Sequence, residues 1–256
     1  MGALHAGHVS LVRRAAAENA AVLVSVFVNP TQFGPNDDFN KYPRNLDADI
    51  AMLAGSGATA VFSPDVETMY PEGATTTVHV GALTEGLCGP FRPGHFEGVA
   101  TVVAKFFGAV GPCNAYFGRK DYQQLAVIQR MVADLFMPVN VVGVPTMRDP
   151  DGLAMSSRNA YLSAEERARA LGISRGLRAA HAAFAGGERS AAVLRALVLA
   201  SVQPVATSID YVTVCDAETL QEFAQNTTDR ALLAVAIRVG STRLIDNVVL
   251  GVDPTP

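Results

Sequence analysis

The alternation of strand-like and helix-like segments over residues 1–146 constrains the fold more than any other feature of the chain. The run AVLVSVFV at 21–28 is apolar on both faces, as a buried parallel strand is. Shorter apolar runs at 58–62, 114–118 and 139–144 are separated by stretches with helical patterns. This alternation predicts an α/β layer built on a parallel sheet.

Three helices are predicted between these strands, over residues 45–54, 97–110 and 121–136. The third has apolar side chains at helical spacing. After residue 146 the alternation stops, and a polar loop leads to Ser163 and Glu166, whose spacing is that of a capping box. Alanine-rich helices then run to about residue 202. Three β-rich stretches follow, near 208–214, 230–238 and 242–250. Helices followed by strands predict a smaller α+β domain.

Composition excludes several classes of protein. With 49% hydrophobic and 17% charged residues in a chain of 256, a disordered protein is excluded. A net charge of −4 without a basic run argues against a nucleic-acid partner. No uninterrupted apolar stretch reaches 18 residues, so no membrane span is predicted. We expect no secretory signal. Cys88, Cys113 and Cys215 lie far apart, which predicts neither a disulfide framework nor a zinc site and favours the cytoplasm.

The first chemically informative motif is H-x-G-H, with His5 and His8 three residues apart. Residues at this spacing share one face of a helix. The helix predicted to follow would direct its free N–H groups and the positive end of its dipole to the same place. Gly7 leaves room for close backbone approach. The motif predicts a phosphate site; the alternative is two unrelated surface histidines.

A second motif, GRKD at 118–121, closes a predicted strand and opens a helix. Lysine is scarce in this chain, which has only Lys41, Lys105 and Lys120. We predict that Lys120 neutralises a phosphate chain and that Asp121 holds magnesium or a ribose hydroxyl. The alternative for Asp121 is a helix N-cap.

The loop after residue 146 contains a third motif, MSSR at 155–158. Two hydroxyls and a guanidinium suit a phosphate clamp in which Arg158 binds in bidentate fashion. The alternative is a polar hinge loop. Since the loop joins two differently patterned regions, residues 147–158 are our hinge or lid candidate.

Asn29 and Gln32 directly follow the strand predicted at 21–28. Ligands of open α/β sheets bind outside the carboxyl ends of the strands, so both are predicted to read hydroxyl or carboxylate groups of a substrate. Gln124 is predicted to point toward the same crevice, and His95 is a further candidate. The alternative for Asn29 and Gln32 is capping of local backbone.

Six stretches then carry a resemblance, in this order: MGALHAGH, SVFVNPTQFGPNDDF, YPR, RPGHFEGVATVV, YFGRKDYQQL and DGLAMSSRN. The chain resembles the pantothenate synthetase family, closely to about residue 162 and more loosely beyond, where TRLIDN at 242–247 is the main support. The resemblance implies a Rossmann-like ATP-binding domain at 1–146 and a small C-terminal α+β lid domain at 147–256. It implies a ligase that joins pantoate and β-alanine through pantoyl adenylate, using ATP and Mg²⁺, usually as a homodimer.

The resemblance also implies roles for individual residues. The catalytic groups would be His8, as the family's proton donor, with His5, Lys120 and Arg158. The segment lining the ATP phosphates would be Met1, Gly2, Ala3, Leu4, His5, Ala6, Gly7 and His8. Further ATP contacts would come from Gly118, Arg119, Lys120, Asp121, Met147, Met155, Ser156, Ser157 and Arg158. Lys120 would lie on phosphate, Asp121 on ribose and the Met147 backbone on adenine. Gln32 would contact pantoate and β-alanine, and Gln124 would hold pantoate.

Two departures from the family pattern lead to expectations. Arg119 stands where the family has Glu; because Lys120 and Asp121 are retained, we expect ATP binding to persist. The family has a strand ahead of MGALH, whereas this sequence begins at Met1. We therefore expect the first strand of the sheet to be absent and its neighbours to lack a ladder partner.

Two alternatives to the ligase stay open from sequence alone. One is an N-terminally truncated, inactive nucleotide-binding homologue. The other is a different nucleotidyltransferase of the same fold. A requirement for both pantoate and β-alanine distinguishes the ligase from the latter.

Overall fold

The computed structural model describes residues 2–35, 39–40 and 42–256. The chain divides into two compact units. The first contains Met1–Glu85, Arg92–Arg119 and Gln123–Val144, and the second contains Gly86–Phe91, Lys120–Tyr122 and Pro145–Pro256. The second unit thus includes two short stretches from ahead of residue 146. The domain boundary expected between residues 146 and 147 stays a prediction.

The first unit alternates helices and strands, as predicted. Its elements are α1 (Ala6–Glu18), β1 (Leu23–Ser25), α2 (Leu46–Leu53), β2 (Ala60–Phe62), α3 (Val66–Met69), α4 (His95–Val110), β3 (Cys113–Gly118), α5 (Tyr122–Asp134) and β4 (Val139–Val144). The three helices predicted in this region are confirmed as α2, α4 and α5, with ends that differ by at most two residues. Tyr122, the first residue of α5, groups with the second unit.

The strands of this unit pair in parallel, which confirms the predicted sheet type. Strand β1 pairs with β2 from Leu23↔Ala60 to Ser25↔Phe62. Strand β3 pairs with β4 from Cys113↔Val139 to Gly118↔Val144. Among the described residues, these are two separate two-stranded sheets. Side chains link α1 to β3: Asn19 Nδ2 donates to Tyr116 Oη over 2.7 Å, and Asn114 Nδ2 donates to Asn19 Oδ1 over 2.7 Å.

Strand β1 corrects one expectation, because the apolar run at 21–28 is not buried on both faces. Val22, Val24 and Val26 are buried, but Leu23 between them is 49% exposed. The buried side packs with Val12 of α1 in one core. Successive side chains of a strand point to opposite faces, so helical cover on one side leaves Leu23 uncovered.

The second unit has helices first and strands afterwards, as predicted. Its elements are α6 (Ala164–Ala170), α7 (Gly172–Ala185), α8 (Ala191–Val202), β5 (Ser208–Asp216), β6 (Ala231–Val239) and β7 (Thr242–Leu250). The predicted capping box is confirmed, because Glu166 N–H donates to Ser163 Oγ and Ser163 N–H donates to Glu166 Oε2. The strands form an antiparallel sheet in the order β5-β6-β7. The hydrophobic core of the second unit includes Leu177, Leu194 and Ile237. None of the helices among residues 2–35, 39–40 and 42–256 is long and apolar enough to cross a membrane.

The predicted hinge or lid loop begins with an ordered turn. Met155 N–H donates to the carbonyl of Met147 over 2.9 Å, and Arg148 bridges Ala154 in antiparallel fashion. Arg148 also forms a bidentate ion pair with the buried carboxylate of Asp246 on β7. Residues 147–155 are therefore fastened to the sheet of their own unit.

Helix α4 packs closely on the 3₁₀ turn Pro30–Gln32 in the first unit. Gly98 makes this approach possible, since a Cβ there would lie 2.4 Å from the Thr31 carbonyl oxygen and 2.7 Å from the Gln32 nitrogen. The carbonyl of Gly98 accepts a hydrogen bond from Asn29 Nδ2 over 3.1 Å. The position of Gln32 thus depends on a glycine in a helix interior.

We expect Gly98→Ala to lower the free energy of unfolding by about 1–3 kcal/mol, because the added methyl meets backbone atoms that cannot move aside. Gly108→Ala is the matched control on the same helix, where a Cβ has no neighbour within 4 Å. The control gains up to about 1 kcal/mol from helix propensity. Urea denaturation followed by circular dichroism measures both; equal stability of the two variants would contradict the close approach.

Candidate active site

The H-x-G-H segment forms the first turn of α1 and its cap. His5 is the N-cap residue, and its Nδ1 accepts a hydrogen bond from Gly7 N–H over 3.1 Å. In return, the Nδ1 of His8 accepts from His5 N–H over 3.3 Å. The two imidazoles thus fill the places that Ser and Glu occupy in an ordinary capping box. Their ring centroids lie 4.0 Å apart.

These two hydrogen bonds determine which ring nitrogen carries the proton. A nitrogen that accepts from a backbone N–H bears no hydrogen, so in the neutral form each ring carries its proton on Nε2. His5 and His8 therefore each have an Nε2–H donor at the start of α1, where the helix dipole has its positive end. Several donors at one helix N-terminus suit a phosphate. The phosphate site stays a prediction, and the hydrogen bonds add the tautomer of each ring.

A buried carboxylate that sequence reasoning missed fixes the segment ahead of His5. Asp49 Oδ1 accepts from Leu4 N–H over 2.7 Å, and Asp49 Oδ2 accepts from Ala3 N–H over 3.1 Å. Ala3 has φ +51°, in the left-handed region. Asp49 lies in the first turn of α2, where an acidic residue is ordinary. The sequence signal for its role is weak, because Asp47 sits in the same turn. Met1, predicted to line ATP, lies outside the described residues.

Asn29 is buried and uses its whole amide within the protein. Its Nδ2 donates to the Gly98 carbonyl and, over 3.3 Å, to Gln32 Oε1. Its Oδ1 accepts from Thr31 Oγ1 over 3.0 Å and from Tyr70 Oη over 2.7 Å. Asn29 also caps the turn Pro30–Gln32. This supports a positioning role for Asn29 rather than the predicted contact with substrate, while Gln32 stays the candidate for that contact.

The hydroxyl of Tyr70 completes this network and was not found from sequence. Burial raises the pKa of Tyr70, so its hydroxyl keeps the proton that it donates to Asn29. Lys105 Nζ lies 5.1 Å from the centroid of the Tyr70 ring and donates to the Met69 carbonyl. Lys105, one of three lysines, therefore packs its ammonium group against the Tyr70 ring and helps to hold that ring in place.

His95, predicted as a further site residue, holds the backbone of Gln32. Its Nδ1 lies 2.8 Å from the Gln32 carbonyl oxygen, and its Nε2 lies 3.0 Å from a guanidinium nitrogen of Arg92. Because guanidinium only donates, Nε2 accepts and Nδ1–H donates. Arg92 also donates to the same carbonyl over 3.3 Å. The RPGH stretch thus fixes Gln32 by two donors.

The end of β3 carries the GRKD motif across a 3₁₀ turn, Arg119–Asp121. Lys120 and Asp121 belong to the second unit. The Lys120 side chain is 19% exposed and its Nζ lies 3.7 Å from Asp121 Oδ2, whose side chain is 50% exposed. Asn247 Nδ2 donates to the Lys120 carbonyl over 2.7 Å. The predicted ATP lysine thus has a mostly buried side chain and a backbone carbonyl held by Asn247.

The MSSR motif continues the ordered turn at 147–155. Ser156 caps the 3₁₀ turn Ser157–Tyr161, and its Oγ accepts from Arg158 N–H over 3.3 Å. Asn159 Nδ2 donates to the Ala154 carbonyl over 3.0 Å. The hydroxyl and guanidinium groups predicted as a clamp therefore sit on a capped turn.

The three cysteines all lie among the described residues, and none of them forms a disulfide. Burial raises the pKa of Cys215 to about 12, which keeps it a thiol near neutral pH. Cys88 is buried, with its sulfur 3.2 Å from Tyr211 Oη. Burial also raises the pKa of Tyr211. The part of the chain that the structure describes contains no group of three or more His, Cys, Asp or Glu that could hold a metal.

Comparison with known proteins decides the family. Residues 1–249 match the sequence profile described as pantoate-beta-alanine ligase. A pantothenate synthetase from Acidobacterium capsulatum is 56% identical over 255 residues, which cover 99% of this chain and 85% of the relative. One from Moorella thermoacetica is 53% identical over 254 residues, which cover 99% and 89%. The chain belongs to the pantoate–β-alanine ligase family.

Solved structures agree with this family membership. The crystal structure of pantothenate synthetase from Thermus thermophilus matches with a TM-score of 0.93 at 49% identity, covering 98% of this chain and 91% of that one. A pantoate-beta-alanine ligase from Francisella tularensis, complexed with beta-gamma ATP and beta-alanine, matches with a TM-score of 0.77 at 34% identity, covering 99% and 88%. The fold is thus the family's, with a Rossmann-like domain and a C-terminal domain.

Residues from the family's motifs come together within the first unit in two groups. One group is the histidine pair with Asp49 behind it; the other is Gln32 with Asn29 and the residues that support them. Gln124 lies on α5 beside Gln123, whose Nε2 donates to the Leu83 carbonyl. Arg119, which replaces the family's Glu, lies near Gly143, where a Cβ would be 3.4 Å from its Nε.

We expect Asp49→Ala to lower the free energy of unfolding by about 2–3 kcal/mol, because two backbone N–H groups lose a charged acceptor. It should also speed hydrogen exchange at Ala3 and Leu4. Asp47→Ala is the control, since Asp47 lies in the same first turn of α2 but is exposed. Its cost should stay below about 1 kcal/mol. Equal stability and equal exchange in the two variants would contradict the anchoring role of Asp49.

Proposed function

We propose that this ligase condenses pantoate with β-alanine to form pantothenate, using ATP and releasing AMP and pyrophosphate. The observation that carries the proposal is the His5–His8 pair, whose reciprocal caps leave an Nε2–H donor on each ring at the start of α1. Donors held at a helix start suit charge that builds on phosphate oxygens. Family membership supplies the substrates.

The reaction divides into two displacements. In the first, a carboxylate oxygen of pantoate attacks the α-phosphorus of ATP, and the bond to pyrophosphate breaks. In the second, the neutral amine of β-alanine attacks the acyl carbon, AMP leaves with the shared oxygen, and the amine nitrogen loses a proton to solvent. The adenylate step is needed because an oxide is a poor leaving group from a carboxylate.

The first displacement requires positive charge more than covalent help. His5, His8, Lys120 and Arg158 are our candidates for that charge, with His8 as proton donor. Asp121 is the candidate for the ribose, and the Met147 backbone for adenine. Mg²⁺ enters as part of the MgATP substrate. A single half-exposed carboxylate at Asp121 suits one added contact to such a complex better than a resident metal.

Pantoate recognition falls to Gln32 and Gln124 in this proposal, and Gln32 also meets β-alanine. Asn29 and His95 fix Gln32 through its side chain and its carbonyl. A glutamine amide held in this way offers a donor to a carboxylate or hydroxyl at little entropic cost. Replacing Gln32 should therefore harm pantoate and β-alanine use while ATP binding is spared.

Assembly and location follow from the family resemblance alone. We propose that the enzyme works as a homodimer in the cytoplasm. The reaction itself calls for no nucleic acid and no membrane. An acyl adenylate is hydrolysed by water, so a segment that excludes solvent is expected. The stretch 147–158 stays our candidate for it.

The two alternatives make different predictions. A different nucleotidyltransferase would not need both pantoate and β-alanine. An inactive homologue would bind ATP without turnover. Identity of about 53% or more over nearly the whole chain to proteins named pantothenate synthetase favours the ligase.

Pantoate-dependent exchange of pyrophosphate into ATP, measured with Mg²⁺ and without β-alanine, tests the proposal. We expect exchange with pantoate and none without it, because only an adenylate returns label to ATP. Full turnover should then require β-alanine and yield AMP. Absence of exchange from a folded protein that binds ATP would favour the inactive homologue.

We expect His8→Asn to lower kcat for the exchange by about 100- to 1000-fold, which is the usual cost of removing a donor at developing charge. The asparagine Oδ1 takes roughly the place of the imidazole Nδ1, so the bond from His5 N–H and the melting temperature should survive. His79→Asn, on an exposed imidazole, is the control and should retain full activity. An exchange rate for His8→Asn within threefold of the wild type would contradict the role of His8.

A further inference from the structure

Besides Thr242, the TRLIDN stretch of β7 contains three polar side chains that the reaction scheme does not use. Arg243 Nε pairs with Asp210 over 2.7 Å, and Asp246 pairs with Arg148. Both are ion pairs that hold the second unit together. The third side chain, Asn247, has a different kind of target, because its amide meets the backbone of the predicted ATP motif.

Asn247 is buried and its amide orientation is unambiguous. Its Nδ2 lies 2.7 Å from the carbonyl oxygen of Lys120, 127 residues away in the sequence. A carbonyl accepts and never donates, so the amide nitrogen must face it. The backbone N–H of Asn247 donates to Asp246 Oδ1 over 2.8 Å. Successive side chains of a strand point to opposite faces. Asp246 can therefore accept hydrogen bonds from Arg148 while Asn247 donates to the Lys120 carbonyl.

The segment that Asn247 contacts is held at two points. Besides the Lys120 carbonyl, Tyr122 Oη donates to the carbonyl of Ala217 over 3.0 Å. Lys120 lies in the 3₁₀ turn just ahead of α5. Fixing its carbonyl fixes the plane of the peptide that follows, and with it the backbone from which the lysine side chain departs. The lysine side chain is mostly buried, and its ammonium lies 3.7 Å from Asp121 Oδ2.

We propose that Asn247 is a positioning residue for Lys120: it sets the backbone of the turn so that the ammonium group lies where charge develops on the phosphates. This inference rests on the proposed function, in which Lys120 binds ATP phosphate. Its chemical basis is that moving a charged group by about 1 Å from its place at the reacting atoms can slow the reaction on the order of 100-fold. The TRLIDN stretch thus contributes to catalysis through one residue and to stability through two.

Asn247→Asp is the sharpest variant, because it keeps the shape, removes the N–H donor and sets an oxygen against the Lys120 carbonyl. We expect kcat of the exchange reaction to fall at least tenfold, with a higher KM for ATP and an unchanged KM for pantoate. Asp210→Asn is the control, on the same sheet and in a similarly buried ion pair. It should lower the melting temperature and leave both KM values unchanged at 25 °C. Should Asn247→Asp not fold, Asn247→Ala, which adds no charge, takes its place.

Labelling of lysine separates this inference from the proposed function. The chain has three lysines, so an amine-reactive reagent and peptide mapping report on Lys120 with Lys105 as internal reference. MgATP should protect Lys120 in the wild type and protect it less in Asn247→Asp, while Lys105 labels equally in both. No protection in the wild type would overturn the ATP role of Lys120. Full protection in both proteins, with unchanged kcat and KM, would overturn the positioning role of Asn247.

A double variant tests whether Asn247 acts through Lys120. If it does, adding Asn247→Asp to Lys120→Ala should lower the residual exchange rate less than twofold, because the two residues share one effect. A tenfold loss in both backgrounds would mean that Asn247 acts on the whole fold, and the inference would be overturned.

Discussion

The carboxylate of Asp49 accepts hydrogen bonds from two successive backbone N–H groups, those of Ala3 and Leu4. The geometry of the histidine pair depends on these two hydrogen bonds. The segment enters α1 in an extended conformation at His5, and only a fixed entry lets His5 and His8 exchange their caps. Those caps in turn place the proton of each ring on Nε2. A buried charge on one helix therefore determines the donors at the start of another.

A similar arrangement holds Gln32, the candidate for substrate contact in the first unit. Gln32 is held through Asn29, whose remaining bonds go to Thr31, Tyr70 and the Gly98 carbonyl. His95 and Arg92 hold its carbonyl. Buried polar networks of this kind are rigid when every member is satisfied. In the second unit Asn247 contacts Lys120 in a comparable way, through a backbone carbonyl.

The elements of the fold could be predicted from sequence because local patterns determine them. Helical sequence patterns predicted α2, α4 and α5, and the Ser163–Glu166 pair predicted the start of α6. The burial predicted for the run at 21–28 was wrong, because an apolar sequence does not reveal that only one face of the strand is covered in the fold. Motif chemistry could likewise propose His5, His8 and Lys120.

Supporting residues could not be predicted, and the reason is physical. Asp49 has the helix position of an ordinary first-turn acid, as Asp47 does, and only the folded chain distinguishes them. Asn247 meets Lys120 across 127 residues, a pairing that no local period encodes. Asn29 illustrates the converse: its place after a strand suggested substrate contact, but its amide is consumed by groups brought in from α4 and Tyr70.

Isotope transfer tests the central claim, adenylate formation, most directly. Pantoate labelled with ¹⁸O in both carboxylate oxygens would be turned over with ATP and β-alanine, and the products analysed by mass spectrometry. Attack on the α-phosphorus predicts one ¹⁸O in each AMP, one in the amide carbonyl of the product and none in pyrophosphate. Unlabelled AMP, or label in pyrophosphate or phosphate, would contradict the adenylate route.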